Sequence, residues 1–157
     1  MQIITAPLAQ LDVVIAYGVW KLRQDVFVVE QDCPYFDLDG RDLEPGAVQI
    51  VGLGEAAPDS VSDGGTRVLG TARVLDDGDA WRVGRVALVK GARGKGHADD
   101  LMRAALRHIE AAGDDRDVVL DAQSPLAPWY GKHGFVADGA EFMEDGILHT
   151  PMRLVRG

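Results

Sequence analysis

The chain has 157 residues and a formal net charge of −9, and a single domain of this length buries about two thirds of its unfolded surface. The negative charge disfavours nucleic acids, whose phosphates an acidic surface repels, and favours cationic partners. Because no apolar run approaches the ~20 residues that span a bilayer, and residues 1–12 lack the basic start and apolar core of a signal peptide, we expect a cytoplasmic protein without membrane contact.

The first predicted element is a helix over residues 8–29, which only Gly18 interrupts and which Pro34 ends. Its apolar positions recur at helical spacing: Leu11, Val14, Ile15, Val19, Leu22 and Val26. The single cysteine, Cys33, excludes an internal disulfide and fits a reducing compartment. Nothing in the sequence ties Cys33 to a histidine, so we expect a buried thiol rather than a nucleophile.

An acidic loop follows over residues 35–46. Its carboxylates are Asp37, Asp39, Asp42 and Glu44. They do not have the spacing of an EF-hand, so we predict no metal site and favour a solvated or salt-bridged loop. A further alternative is that one or two of these carboxylates face an acceptor channel and bind an ammonium group.

Two strands are predicted next, over residues 48–54 and 68–75. The loop between them, residues 55–65, is rich in Asp, Ser and Gly. We expect this loop to be mobile and a poor place for chemistry.

The most informative segment begins with the apolar run at residues 86–89, which predicts a strand buried on both faces. A loop follows with three glycines, Gly91, Gly94 and Gly96, and the cations Arg93 and Lys95. Apolar residues at helical spacing then continue to Ile109. The first turn of a helix leaves backbone N–H groups unpaired, and glycine lets phosphates approach that backbone. The pattern favours an anion site, with an ordinary strand-to-helix turn as the alternative.

Two other nucleotide-binding loops are excluded by spacing. Gly94 and Gly96 are followed by His97, Ala98 and Asp99, so the third glycine of a GxGxxG pattern is missing. Lys95 is followed by Gly96 rather than by Ser or Thr, so there is no Walker loop. His97 itself is equally compatible with donation to a phosphate and with an exposed position.

The last third predicts a strand over residues 118–123, a short helix start framed by Pro125 and Pro128, and antiparallel strands over residues 134–138 and 147–154. The triplet Glu144-Asp145-Gly146 predicts the turn that joins this last pair. His108 and His133 are predicted to be surface residues of helices. Strands that alternate with helices and end in a hairpin indicate a mixed sheet covered by helices.

Two of these segments resemble motifs of the GNAT acetyltransferases. The R/Q-x-x-G-x-G/A pyrophosphate loop of that family is matched by Arg93-Gly94-Lys95-Gly96-His97-Ala98, and its (F/L/W)-Y-x-x-x-G-F segment by Trp129-Tyr130-Gly131-Lys132-His133-Gly134-Phe135. Residues 27–35, 37–44 and 144–152 resemble the ElaA-type subgroup. The chain departs from the family at Ala98, where many relatives have Gly, at His97, where an apolar residue is usual, and at Gln123, where an Asn often reaches the pantetheine arm.

The resemblance implies one GNAT domain over residues 1–157, with an α/β fold whose mixed, mostly antiparallel central sheet is flanked by helices and splayed where acetyl-CoA binds. It implies acetyl-CoA as cosubstrate, no metal, and a cofactor site formed by Val86, Ala87, Leu88, Arg93, Gly94, Lys95, Gly96, His97, Ala98, Gln123 and Tyr130.

Together with the chemistry of amine acetylation, the resemblance also implies roles for individual residues. A backbone N–H on the splayed strand, at Ala87 or Leu88 by position, stabilises the oxyanion. Tyr130, whose position behind a CoA-type loop favours catalysis over a merely half-buried aromatic, protonates the departing thiolate. Glu30, Asp39 and His149 are candidates to take or relay the proton of the amine, with solvent as the alternative.

Two functions from different classes remain open on the sequence. The first is an acetyl-CoA-dependent N-acetyltransferase acting on a primary amine, either a small molecule or a protein amine. The second is a non-catalytic CoA-binding or regulatory module on the same fold, since fold does not imply function. A homodimer is left open as well.

Overall fold

A computed structural model describes residues 1–55 and 67–157 of the chain. Apart from Glu55, the loop predicted over residues 55–65 therefore lies outside the described residues. In the described part, the strands are β1 (Gln2–Ala6), β2 (Val48–Gly54), β3 (Arg67–Asp76), β4 (Trp81–Leu88), β5 (Val118–Gln123), β6 (Val136–Ala137), β7 (Phe142–Glu144) and β8 (Ile147–Leu154). The α-helices are α1 (Val13–Arg23), α2 (His97–Ala111) and α3 (Ala127–Gly131).

These strands form one mixed sheet with the order β1-β2-β3-β4-β5-β8-β6, and β7 pairs with β8. Neighbouring strands are antiparallel except β4 and β5, which are parallel. The predicted mixed sheet is confirmed. The sequence did not predict β1 or β7, and the predicted turn Glu144-Asp145-Gly146 joins β8 to β7 rather than to the strand near residue 136.

Helix α1 begins later than predicted, because Leu8–Gln10 forms a separate 3₁₀ turn and Asp12 caps the helix by accepting a 2.9 Å hydrogen bond from the Val14 N–H. A wider π-helical segment, Gln24–Glu30, continues it before Pro34. Gly18 has a packing reason: a Cβ there would lie 2.7 Å from the Val68 side chain on β3. None of the described helices is long and apolar enough to cross a membrane.

The sheet is covered on both faces, since alternate residues of a strand point to opposite sides. Ile50 on β2 packs in one apolar cluster with Leu101, Met102 and Ile109 of α2. Val51, the next residue of β2, packs in a second cluster with the apolar stripe of α1. All five of these side chains are fully buried.

Strand β4 is distorted in its middle, and this distortion opens the sheet. Arg85 and Val86 lie opposite the single residue Ala72 of β3, and Arg85 has a left-handed backbone with φ of 53°. Such a bulge bends the strand. Consequently β4 and β5 pair only at their first residues, Trp81 with Val118 and Arg82 with Val119, and separate beyond them.

Candidate active site

The separation of β4 from β5 produces a cavity of about 760 Å³. Its walls come from the end of the π-helical segment, both separated strands, α3, and the turn between β7 and β8. Eleven of the residues predicted for the site line it: Glu30, Asp39, Val86, Ala87, Leu88, Arg93, Gly94, Ala98, Gln123, Tyr130 and His149. Lys95, Gly96 and His97 are not among its lining residues; they lie in the loop and at the start of α2.

The loop after β4 brings the N-terminus of α2 to one end of this cavity. Gly94 and Gly96 have φ of 74° and 82°, and a Cβ on either would meet no atom within 4 Å, so the backbone conformation rather than lack of space requires glycine. Helix α2 starts at His97, and no side chain of the described residues caps it. Its first N–H groups are therefore available to an anion.

Arg93 is held in place by two partners. Its Nε and Nη2 donate to the carbonyl of Leu88 at 3.2 and 3.0 Å, while Nη1 and Nη2 donate to the two carboxylate oxygens of Glu30 at 3.1 and 2.9 Å. Lys90 Nζ lies 3.5 Å from Glu30 as well. The hydrogen bonds from Arg93 lower the pKa of Glu30, which makes this carboxylate a weak proton acceptor.

Tyr130 faces the cavity from α3 and is half-buried. Its ring meets Trp129 edge-on with the ring centroids 4.8 Å apart, and it meets Phe135 edge-on at 6.3 Å. Burial raises the pKa of Tyr130 to about 12, so the phenol carries its proton at neutral pH.

His149 lies across the sheet from Gln123, its register partner on β5. Its ring stacks on Phe142 with a centroid separation of 5.6 Å, and its Nδ1 lies 2.8 Å from the carbonyl oxygen of Ile147. Because a carbonyl only accepts hydrogen bonds, Nδ1 carries the proton and Nε2 of the neutral ring is the acceptor. The Gln123 amide donates to Gln31 Oε1 at 3.0 Å, which ties β5 to the end of the π-helical segment.

The acidic loop over residues 35–46 is salt-bridged. The sequence had favoured a solvated or a salt-bridged loop, and the second of these is observed. Arg23 is fully buried and donates to Asp37 Oδ2 at 2.9 Å and to Asp42 Oδ1 at 2.6 Å. Arg73 binds both carboxylate oxygens of Asp39 at 2.9 and 3.0 Å. Burial is the largest single effect on the pKa of Asp39 and raises it, but the hydrogen bonds from Arg73 and from the Arg41 N–H, together with the charges of Arg73 and Arg85, lower the pKa to about 2. These carboxylates are committed to arginines.

The structure changes the assignment of two histidines. His133 is a partner of Asp99, with 2.8 Å between Nε2 and Oδ1, and only 9% of its side chain is exposed. His108 is partly buried and meets the edge of the Trp81 ring. Both were predicted to be surface residues; their partners lie more than 25 positions away in the chain, so no local pattern could indicate them. Cys33 is buried, as predicted.

In the described ranges no three His, Cys, Asp or Glu side chains converge to hold a metal ion. Within the described residues, the arrangement instead combines a helix start suited to an anion, the edge of β4 beyond its pairing with β5, a protonated phenol and a histidine whose Nε2 is an acceptor. Such a set can hold a long phosphorylated ligand along the gap in the sheet and move protons at its inner end.

Sequence comparison identifies the class. The chain belongs to the GNAT acetyltransferase family, because the model of the acetyltransferase (GNAT) domain matches residues 60–156. The predicted enzyme class, an N-acetyltransferase of GNAT type, is confirmed at the level of the family.

Individual relatives place the chain near ElaA. It is 33% identical to the ElaA protein of Escherichia coli over 92% of this chain and 90% of the relative, and 40% identical to a UPF0039 protein of Mycobacterium tuberculosis over 90% and 85%. The crystal structure of E. coli ElaA superposes with a TM-score of 0.85 at 31% identity, covering 98% of this chain and 99% of the other. An acyl-CoA N-acyltransferase from Pseudomonas aeruginosa gives 0.82 at 35% identity, covering 97% of each. The GNAT-type fold is thereby confirmed.

Proposed function

We propose that this protein transfers the acetyl group of acetyl-CoA to a primary amine by direct attack in a ternary complex. The observation that carries the proposal is the separation of β4 and β5, which leaves a cavity that runs between the glycine loop and the pair Tyr130 and His149. The continuous sheet from β1 to β8 supports one GNAT domain over residues 1–157. The single thiol of Cys33, which needs no oxidising compartment, supports a cytoplasmic location.

The cofactor site is proposed to use backbone more than side chains. The free N–H groups at the start of α2, beside Gly94, Gly96 and the small residue Ala98, suit the pyrophosphate of CoA. Beyond Arg82, no described strand pairs with the edge of β4 that faces β5, so the polar groups of this edge are available to the amides of the pantetheine arm. The Gln123 amide faces the same gap from β5.

The strand geometry favours Leu88 over Ala87 as the donor to the oxyanion. The N–H of Val89 donates to the Leu69 carbonyl on the β3 side at 2.9 Å. Successive N–H groups along a strand point to alternate sides, so the N–H of Leu88 points towards the gap. A fixed donor in a site that excludes water stabilises a developing oxyanion strongly.

Two proton transfers complete the proposed reaction. A lysine-type amine titrates near ~10.4 and must lose a proton before it attacks the thioester. His149, with Nε2 unprotonated, is the proposed acceptor, because Arg93 holds the carboxylate of Glu30 and Arg73 holds that of Asp39. The departing thiolate is then protonated by Tyr130, whose proton is present at neutral pH.

The test is a screen of primary amines with acetyl-CoA, read by thiol release and by the mass of the acetylated product. The panel includes small amines, polyamines, aminoglycosides, and peptides with a free N-terminus or a lysine. We expect at least one amine to release thiol and acetylated product in equal amounts. CoA binding without turnover on any member would support the non-catalytic module instead.

The role of His149 has its own readout. His149→Gln should remove the acidic limb of the pH dependence of kcat/KM, because this limb reports the protonation of a base in the free enzyme. His108→Gln is the control, since His108 packs on Trp81 outside the cavity. An acidic limb that is unchanged in His149→Gln would mean that water, rather than His149, accepts the proton of the amine.

A further inference from the structure

One carboxylate joins the helix that starts at the glycine loop to the helix that carries Tyr130. Asp99 lies in the first turn of α2, and its Oδ1 accepts from Trp129 Nε1 at 3.0 Å and from His133 Nε2 at 2.8 Å. Trp129 and His133 follow Asp99 by 30 and 34 positions and flank Tyr130 in sequence. The hydrogen bond from His133 lowers the pKa of Asp99 most, and the hydrogen bond from Trp129 lowers it further.

The carboxylate of Asp99 lies at the end of α2 where we propose that the pyrophosphate binds, so its negative charge repels this ligand. A carboxylate at a helix N-terminus stabilises the helix, but it also repels a pyrophosphate bound there. Asp100, the next residue, supplies the same helix stabilisation, and its side-chain partners in the described part of the chain are local: Arg103 at 2.9 Å and His97 at 3.9 Å. Among the described residues, Asp99 binds side chains outside α2, whereas Asp100 does not.

The contacts of Asp99 continue directly to Tyr130. The Trp129 ring meets the Tyr130 ring edge-on at 4.8 Å and the His133 ring at 5.0 Å. The carbonyl of Tyr130 accepts from the N–H groups of His133 and Phe135 at 3.0 and 3.3 Å. The ring and the backbone of Tyr130 are therefore both fixed against residues that Asp99 holds.

We propose that Asp99 is a positioning residue for the acetyl transfer: by binding Trp129 and His133 together, it fixes Tyr130 relative to the glycine loop. The inference rests on the proposed role of Tyr130 as the acid. The partly exposed carboxylate does not touch the reacting atoms; it acts through the two side chains that it orients.

Asp99→Ala is compared with Asp100→Ala, which removes the same charge from the same turn. Both variants should change the KM for acetyl-CoA alike, because both remove one negative charge near the loop. Only Asp99→Ala should lower kcat, by about ten- to a hundredfold, since a small misplacement of a catalytic group costs that much. Asp99→Asn keeps an acceptor for Trp129 and should recover part of the loss. Equal kcat values for Asp99→Ala and Asp100→Ala, with Tyr130→Phe slow, would overturn the proposal.

A double variant separates the failure of this inference from that of the proposed function. If Asp99 acts through Tyr130, Asp99→Ala combined with Tyr130→Phe should be no slower than Tyr130→Phe alone. Multiplied losses would show that Asp99 acts by another route and would overturn the inference. A Tyr130→Phe variant with the wild-type rate would instead overturn the proposed role of Tyr130.

Hydrogen exchange tests the positioning without any acceptor. In Asp99→Ala, the amides of residues 127–135 should exchange about tenfold faster than in Asp100→Ala, because α3 loses its tie to α2. The amides of β2 and β3 serve as the internal control for global stability. Equal protection of residues 127–135 in the two variants would overturn the inference even if Tyr130 has no catalytic role.

Discussion

Glu30→Gln should strengthen the binding of CoA. Both carboxylate oxygens of Glu30 accept hydrogen bonds from the guanidinium of Arg93, at 3.1 and 2.9 Å. A pyrophosphate that binds this loop competes with Glu30 for the same cation and is repelled by its charge. Arg93 keeps its two hydrogen bonds to the Leu88 carbonyl when Glu30 is neutralised, so the cation stays where the ligand needs it.

The size of the effect follows from the exposure of the pair. The side chains of Arg93 and Glu30 are 41% and 27% exposed. Ion pairs at such sites contribute about 0.2–1 kcal/mol, which corresponds to about a 1.4- to fivefold decrease in the Kd of CoA when the competing carboxylate is removed. The difference between wild type and variant should shrink as salt is added.

Calorimetric titration with CoA at low and high salt measures this change. Asp25→Asn is the matched control, because Asp25 lies in the same π-helical segment and pairs with Lys21 rather than with the loop. Weaker CoA binding by Glu30→Gln at low salt would refute the reasoning and would mean that Glu30 holds Arg93 in its binding position. A large fall in kcat without a change in the Kd of CoA would indicate instead that Glu30 is the catalytic base.

Three further predictions concern the loop and the buried ion pairs. Gly96→Val should abolish CoA binding in a calorimeter while circular dichroism stays native, because valine does not tolerate a φ of 82°; Gly91→Val, outside the left-handed region, should still bind. Asp42→Ala leaves Arg23 buried without one of its two partners and should lower the free energy of unfolding in urea by about 3–5 kcal/mol. The folded-state pKa of Asp39, about 2, lies below its unfolded value of ~3.9, so its contribution to stability is present above pH ~3.9 and is lost as the pH falls towards 2. Asp39→Asn should therefore show a shallower loss of stability between pH 5 and 2, and parallel curves would contradict this.

The sequence predicted those elements whose signal is local. The strand over residues 48–54 and the strand over residues 118–123 have the predicted bounds, because their apolar residues fit a strand and turn residues flank them. Strand β1 was missed because a short strand at the edge of a sheet is defined by pairing with β2, which the sequence of residues 2–6 does not encode. The start of β4 at Trp81 was missed for a related reason, since its middle is bulged and its polar residues interrupt the apolar pattern.

For the candidate site as well, the sequence indicates contiguous motifs but not contacts between distant residues. The glycine loop and the segment around Tyr130 are contiguous motifs, so the sequence alone points to both. The pairing of Glu30 with Arg93 joins residues 63 positions apart, and that of Asp99 with His133 joins residues 34 positions apart. Such contacts depend on how the helices pack on the sheet, and no spacing rule within one element predicts them.

The most direct test of the account is the rate of acetyl transfer by Tyr130→Phe, measured in single turnovers with an amine from the screen so that chemistry limits the rate. Phenylalanine keeps the ring contacts with Trp129 and Phe135 but removes the proton. The account predicts a rate lower by about a hundredfold, with the Kd of CoA nearly unchanged. A Tyr130→Phe enzyme that transfers acetyl at the wild-type rate would contradict it.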